Sequence, residues 1–471
     1  MALWPFKRRK PRTRVVRIPL RARYDAVQNT PDNRKHWANA DSLSAAAALT
    51  PDVRAALRNR GRYEVANNSY ARGIVETLAN DTIGRGPRLQ MLTPNPKFNE
   101  EAERRFADWA RAVRLAEKLR TMRIARAQDG EAFGILVNNP AIGATESLDL
   151  RLIEAEMVAR PVTDLTWSDL ADGIDYDADG NPLSYTISKS HPGGLTLPAS
   201  MDDSMKVDAG SVIHWYRVDR PGQLRGAPDI CPALPLFAQL RRYTMAVIGS
   251  AEIAAEMAVI MKTQTPPDAG AADVDPATEM EWAFNQMTFV PEGWEPYQMK
   301  AEQPATTYPM FKREILTEIA RCLNMPYNVA ACDSSEYNYA SGRLDHQTYF
   351  RSIAVDQAHV ESIILDPLLA AWLAEAFGQR GAGKEHQWFW PGREHVDPAK
   401  EANAQAVRLK NLTTTHANEF ALQGRDWEAE MLQLAKERAL MKKLGLSMAD
   451  EPVKEDEDGE DEEEAPARGR Q

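Results

Sequence analysis

The stretch SVIHWYRVDRPGQLRGAPDICPALPLFAQLRRYTMAVIGSAEIAAEMAVIMK, residues 211–262, changes its texture midway. Ser211 to Val218 is rich in β-branched and aromatic residues, the composition of a strand. The segment from Arg220 to Pro228 then carries two Gly and two Pro, which are turn residues. From Asp229 to Lys262 apolar residues and alanines fall on every side at helical spacing, which predicts one long helix. A helix apolar nearly all round is buried on several sides, in a core or against identical neighbours in a ring. Strand, turn and long helix in that order predict a mixed α+β chain.

Working back from Ser211, residues 148–216 read as short antiparallel strands, with the turn Asp179-Gly180-Asn181-Pro182 between two of them. EAFGILVNN (131–139) reads as a strand, and 98–128 as two helical stretches. RLQML (88–92) is a strand behind the stops Gly84 and Gly86. Residues 51–84 read as one helix, with Tyr70, Ile74, Thr77 and Leu78 on one face. Forward from Lys262 come a loop, a short helix and a hairpin-like pair, TFV and WEPYQMK, over 288–300. Helical patterns follow over 307–325, 344–377 and 397–446. Asp366-Pro367 marks a break or kink in the second, because proline has no N–H and its ring clashes with the preceding turn. HQWFWP (386–391) is a strand. No internal repeat is present.

The chain has 471 residues, 43% hydrophobic, with 30 prolines, enough for two to four domains on the usual range of domain sizes. No apolar run has the length of a membrane span. The basic N-terminus has no apolar core of a secretory signal. Three cysteines without CxxC spacing suit a reducing, cytoplasmic place of synthesis and no disulfide framework. The net charge of −11 is uneven. Residues 1–23 carry nine Lys/Arg and no acid, 451–464 carry ten acids and one lysine, and the body between is acidic at −13. Such a body does not suit tight nucleic-acid binding, which needs clustered cations for counterion release.

Motifs for chemistry are absent or incomplete. GQRGAGKE (378–385) has Glu385 where a phosphate loop needs Ser or Thr, and a helix precedes it where a strand should. The eight histidines show no ligand spacing, His386 and His395 included. Asp356, Glu361 and Asp366 fall on one helix face and read as a solvated stripe. No catalytic, cofactor-binding or metal-binding residue is assigned, and the chain is not read as an enzyme.

The order of segments resembles the lambda-type family of phage portal proteins. NNSYARGIVETLANDTIGRGPRL (67–89), RTMRIARAQDGEAFGILV (120–137) and VIHWYRVDRPGQLRGAPDICPALPLFAQLRRYTMAVIGSAEIAAEMA (212–258) carry the resemblance. So does the loop stretch Asn338-Tyr339-Ala340-Ser341-Gly342-Arg343, in which Ala340 replaces a serine of the family pattern. The resemblance runs over about residues 60–377, with 140–200 matching loosely.

The resemblance implies a ring-forming portal fold with an α/β wing, long stem helices, a small α/β clip, a kinked tunnel helix and a helical crown. Carried over, 1–50 is a basic N-terminal arm and 51–230 the wing, to which 378–396 returns. The stem helices are 231–262 and 304–327, and the clip is 263–303. The tunnel loop is 328–342, the tunnel helix 343–377, the crown 397–449 and the acidic disordered tail 450–471. The implied DNA-facing residues are Ser334, Ser335, Tyr337, Asn338, Tyr339, Ser341 and Arg343; Trp282, Trp294 and Tyr297 would face the packaging motor. Small and amide side chains on a channel wall would touch a moving duplex weakly and without reading sequence. Arg343 either touches phosphate transiently or pairs with Asp345 or a neighbour's acid.

The implied assembly is a dodecamer at one capsid vertex, a channel for double-stranded DNA during packaging and ejection. Implied partners are the terminase large subunit, major capsid and scaffold proteins, and head-tail connector or adaptor proteins, with no membrane and no cofactor. The implied location is the virion, with assembly in the host cytoplasm. Two other classes stay open: a DNA-processing ATPase or nuclease of the packaging machinery, and another ring-forming head-tail connector.

Overall fold

In the computed structural model the described residues are 31, 34–160, 172–194, 204–256, 260–263, 294–297, 307–335, 338–378, 385–392 and 398–445. Ser44 caps a single turn, α1 (Ala45–Ala48), so the stretch read as an arm already folds before residue 50. The Leu43 carbonyl accepts from Arg220, which ties this segment to the 217–225 turn. Thr50 caps α2 (Pro51–Asn67), with Pro51 in the first turn, where an N–H has no partner to lose.

The single helix expected over 51–84 is two. The break is at Asn68, whose side chain accepts from the N–H groups of Tyr70 and Ala71 and so starts α3 (Ser69–Ile83). Gly84, at φ 55°, ends α3, and β1 (Arg88–Met91) follows. Next come α4 (Pro96–Ala112) and α5 (Leu115–Asp129), the latter closed by Gly130 at φ 97°.

β2 (Glu131–Asn138) pairs antiparallel with β3 (Leu148–Ile153). β4 (Ile174–Tyr176), β5 (Pro182–Ser188) and β6 (Ser204–Asp208) form a second sheet in sequence order. β7 (Val212–Tyr216) returns to the free edge of β2, giving the order β3-β2-β7.

The long helix, α6 (Leu234–Glu256), is shorter than the sequence suggests. Ile260–Thr263 is a strand, β8, paired antiparallel with β9 (Trp294–Tyr297), so helix over 231–262 is corrected at its C-terminal end. An apolar run such as Val259-Ile260-Met261 suits either state, and here a strand partner decides it. In that pair Trp294 sits opposite Thr263 and Tyr297 opposite Ile260. Residues 288–290, and Trp282, lie outside the described residues.

α7 (Tyr308–Arg321) gives way to a turn with Asn324 at φ 53°, then α8 (Tyr327–Ala331). α9 (Tyr339–Val360) and α10 (Asp366–Phe377) are joined by a π turn over Glu361–Leu365. β10 (His386–Phe389) pairs antiparallel with β1, which brings the chain back to its N-terminal half. α11 (Pro398–Lys410), α12 (His416–Leu422) and α13 (Trp427–Leu444) follow; the acidic segment 450–471 lies outside the described residues.

The kink expected at Pro367 takes a specific form. The Asp366 N–H donates to the Glu361 carbonyl, five residues back, and Pro367 follows with no N–H to give. The helix absorbs the missing donor by one wider turn, the usual form of a π bulge.

Three apolar cores hold the elements. Phe106, Trp109, Trp372 and Trp388 pack α4 and α10 against β10, with Phe106 edge-on to Trp372 at 5.2 Å. Ile74, Phe237, Leu316, Tyr349 and Ile353 join α3, α6, α7 and α9. Phe133, Ile135, Ile174, Tyr185 and Ile187 fill the space between the two three-stranded sheets. The expected solvated stripe on α9 and α10 is corrected. Asp356 binds Arg123 and Arg126, Glu361 accepts from the Trp390 indole (2.6 Å), and Asp366 accepts from the Trp388 indole (2.9 Å) with the His386 ring 3.0 Å away. Their partners come from residues distant in sequence, so spacing alone could not reveal them.

Candidate functional site

The loop expected over 328–342 contracts to 332–338, because α8 takes 327–331 and α9 begins at Tyr339. Cys332, at φ 52°, caps α8, and the Asp333 carboxylate accepts from the Ser335 N–H at 3.0 Å. Ser334, Ser335 and Asn338 are exposed, and the Asn338 carbonyl accepts the Gly342 N–H at the start of α9. Tyr339, Ser341 and Arg343 therefore stand on the first turns of α9, not in the loop, and Arg343 is exposed there. Tyr337 lies outside the described residues.

The loop is held from both ends. Asn328 on α8 meets the His346 ring of α9 at 3.1 Å. The Tyr349 hydroxyl donates to Asp81 of α3 at 2.6 Å, and Gln357 donates to the Thr82 carbonyl. A short exposed loop thus sits on a helix bolted to the body.

The body also holds two buried ionic clusters. In the first, the Arg225 guanidinium grips Glu131 with two bonds of 2.8 Å, and the His214 ring meets the same carboxylate at 3.1 Å. Burial alone would raise the Glu131 carboxyl; Arg225 and the His214 contact more than reverse this and hold it well below the usual carboxylate range. Burial pushes the His214 imidazole down, keeping it neutral. Gln223 closes the turn with four bonds, accepting from the Asp219 and Arg220 N–H groups and donating to the Arg217 and Arg225 carbonyls. A Cβ on Gly226 would lie 2.1 Å from the Gly130 carbonyl oxygen, so only glycine fits.

In the second cluster Asp229 receives Arg123 at 2.8 Å and Arg217 at 3.3 Å, while Asp356 receives Arg123 and Arg126, both at 3.0 Å. Burial raises the Asp229 carboxyl, but the surrounding guanidinium groups lower it further, so it stays ionised. These pairs join α5, the lead into α6, and α9. They link the very stretches 120–137 and 212–258 that carry the resemblance, and sequence reasoning did not connect them.

Among the described residues one acid-histidine group has metal-like spacing: Glu154, Glu156 and His191. Arg62 lies 3.2 Å from Glu154 and 2.8 Å from Glu156, and Arg58 also holds Glu156, so arginines already supply the positive charge. The phosphate-loop-like segment 378–385 has α10 leading in and β10 leading out, the order that disfavours a phosphate cradle; residues 379–384 lie outside the described residues. No helix among the described residues is long and apolar enough to cross a membrane.

The chain is similar to known proteins over most of its length. The profile of a family described as phage portal protein, lambda family, matches residues 31–357. A probable portal protein of Halomonas phage phiHAP-1 is 22% identical over 431 residues, covering 83% of this chain and 81% of the relative. A chain in the neck of an empty gene transfer agent particle, solved with C6 symmetry, superposes with a TM-score of 0.50 at 14% identity, covering 80% of this chain and 95% of that one. That likeness is one of fold. The family match spans well over half of the sequence, and the chain belongs to the lambda family of phage portal proteins.

Proposed function

We propose that this protein assembles into a ring of identical subunits, on a dodecameric pattern, at one capsid vertex. The ring is the channel for double-stranded DNA entering during packaging and leaving at ejection. The observation that carries this reading is the exposure of residues 332–335 and Asn338 between α8 and α9, with α9 anchored through Tyr349 to α3. A loop fixed at its base can project into a channel and still yield at its tip. Ser334, Ser335 and Asn338 offer weak polar contacts there, with Arg343 one turn behind.

In this assignment residues 51–230 with β10 form the wing, α6 and α7 the stem, and β8 with β9 the base of the clip. α9 with α10 forms the bent tunnel helix, and α11 to α13 the crown. The clip, with Trp282, Trp294 and Tyr297, docks the terminase large subunit and later the connector and tail proteins. Capsid and scaffold proteins surround the ring. The exposed Met245, Ile248, Met310 and Phe311 on α6 and α7 support subunit packing along the stem, since exposed large apolar side chains suit an interaction surface. The protein acts as a conduit and docking ring and performs no chemistry itself.

The test is the mass and shape of the purified full-length protein by light scattering and negative-stain imaging. A ring of about a dozen copies with a central hole is expected on the family pattern. A compact monomer that hydrolyses ATP on addition of DNA overturns the reading.

A further inference from the structure

α7 returns to the point where α6 sets out, and two thiols mark that point. Cys231 opens the single 3-10 turn Cys231–Ala233 that leads into α6, and Cys322 follows the last residue of α7. The Cys322 Sγ–H donates to the Asp229 carbonyl at 3.1 Å, and the Ala233 N–H lies within reach of the same sulfur. The Cys322 thiol is therefore seated between the two ends of the segment 229–233, of which Cys231 is the middle residue. The two thiols and the Arg217 guanidinium lie within electrostatic reach of one another. Both thiols are half-buried and free, whereas the third, Cys332, is exposed where it caps α8.

The seat is rigid. Asp229 is fixed through its carboxylate by Arg123 and Arg217 and through its carbonyl by Cys322, so the backbone that carries Cys231 is held in place. Ile230 and Ala233 share one apolar core with Leu316, Ile319 and Leu323, and Cys322 packs against it. Two sulfurs on facing, immobile segments meet as an intramolecular pair, at a higher effective concentration than a thiol in solution provides. Burial pushes the Cys322 thiol up to about 11, with Asp229 adding to the rise and Arg217 opposing it, and burial raises the Cys231 thiol too. Thiolate is therefore scarce at neutral pH, and the pair stays reduced until a disulfide reagent is supplied and given time.

We infer that Cys231 and Cys322 are a dithiol that closes to a disulfide by exchange with a small-molecule disulfide such as oxidised glutathione, locking the root of α6 to the end of α7. The Cys231 thiolate, with Arg217 beside it, attacks one sulfur of the reagent; the reagent's S–S bond breaks and one thiolate leaves. The Cys322 thiolate then attacks the Cys231 sulfur and expels the second half of the reagent. Two protein thiols are oxidised, one reagent disulfide is reduced to two thiols, and the two protons end on them. The loop so closed contains α6, β8, β9 and α7, so the bridge fixes the base of that excursion. A reducing milieu keeps the lock open and an oxidising one shuts it. The inference goes beyond the conduit reading and stands without it.

The experiment uses full-length Cys332→Ser, which keeps only the pair, beside wild type, Cys231→Ser/Cys332→Ser and Cys322→Ser/Cys332→Ser. Each is incubated with oxidised glutathione at mildly alkaline pH, folded and in urea. Free-thiol titration, intact mass and peptide mapping without reductant read the products. Cys332→Ser is expected to lose both thiols, to carry no glutathione at the end and to yield a 231–322 cross-linked peptide, faster when folded than in urea. Its melting temperature should rise by several degrees on oxidation and fall back with dithiothreitol. The two double variants should form no bridge within the chain. A Cys332→Ser chain that keeps both thiols while Cys332 of the wild type is fully modified overturns the inference. So do glutathione adducts that persist on both cysteines, a bridge between chains, or a bridge formed only in urea. A bridge that leaves the melting temperature unchanged overturns the lock.

Discussion

Arg225 and Glu131 form a bidentate pair of two 2.8 Å hydrogen bonds, with both side chains almost wholly out of solvent. The pair joins the first residue of β2 to the turn that leads into α6, so it connects the two halves of the mixed α/β body.

Removing one member leaves the other charged and buried. Arg225→Met is therefore expected to cost about 3–5 kcal/mol. The double variant Glu131→Leu/Arg225→Met should recover part of that loss, because no charge is then stranded. Urea unfolding of the two variants beside wild type checks the order; equal loss in both would remove the ionic explanation.

His214 gives a pH signature. Its folded-state pKa lies below its ordinary value of about 6.5, so the unfolded chain binds the extra proton first. Stability is expected to fall as the pH drops below that value toward the folded pKa. Glu131 and Asp229 add a second loss at lower pH, as their depressed carboxyls are forced to protonate. His214→Gln keeps a donor near Glu131 without the titration. It should flatten the melting-temperature profile between pH 6.5 and 5 and leave the steeper acid limb in place.

Two glycines should respond in opposite directions. Gly226→Ala forces a Cβ against the Gly130 carbonyl and is expected to destabilise by about 1–3 kcal/mol or more. Gly249 lies inside α6 with nothing within 4 Å of its would-be Cβ, so Gly249→Ala should stabilise by about 0.5–1 kcal/mol. Thermal denaturation of both variants side by side reads the signs.

Tyr349→Phe deletes only the hydroxyl that donates to Asp81. A bond to a carboxylate contributes about 1.5–3 kcal/mol, so the loss should loosen α9 without unfolding the body. Amide exchange should rise over 332–350 and stay unchanged in β2. Uniform change across the chain would mean that this bond does not anchor the loop.

Much of the element order was legible because the cues were local. Gly84 and Gly130 ended helices where turn chemistry predicts, and β2, β7 and β10 announced themselves by apolar and aromatic composition. The misses were tertiary. Ile260–Thr263 became a strand because Trp294–Tyr297 was there to pair with it, some 30 residues on. The loop shortened because α8 and α9 consumed its ends, leaving Tyr339 and Ser341 in a helix. The Arg123, Arg126, Asp229 and Asp356 cluster draws on three distant segments, and no spacing rule assembles it. The Asn-Asn start of the stretch 67–89 was a local cue of the same kind, since an asparagine before Ser-Tyr-Ala caps a helix, and Asn68 caps α3.

The π turn at Glu361–Leu365 means that the long helix carries a spare residue. One extra residue in the turn offsets the two halves by about 100° of rotation, so α9 and α10 are indexed separately, each to its own neighbours. Loss of one residue here would return the helix to ordinary spacing and press the Pro367 ring against the carbonyl four residues back. The spare residue and Pro367 should therefore be kept or lost together, since each makes room for the other.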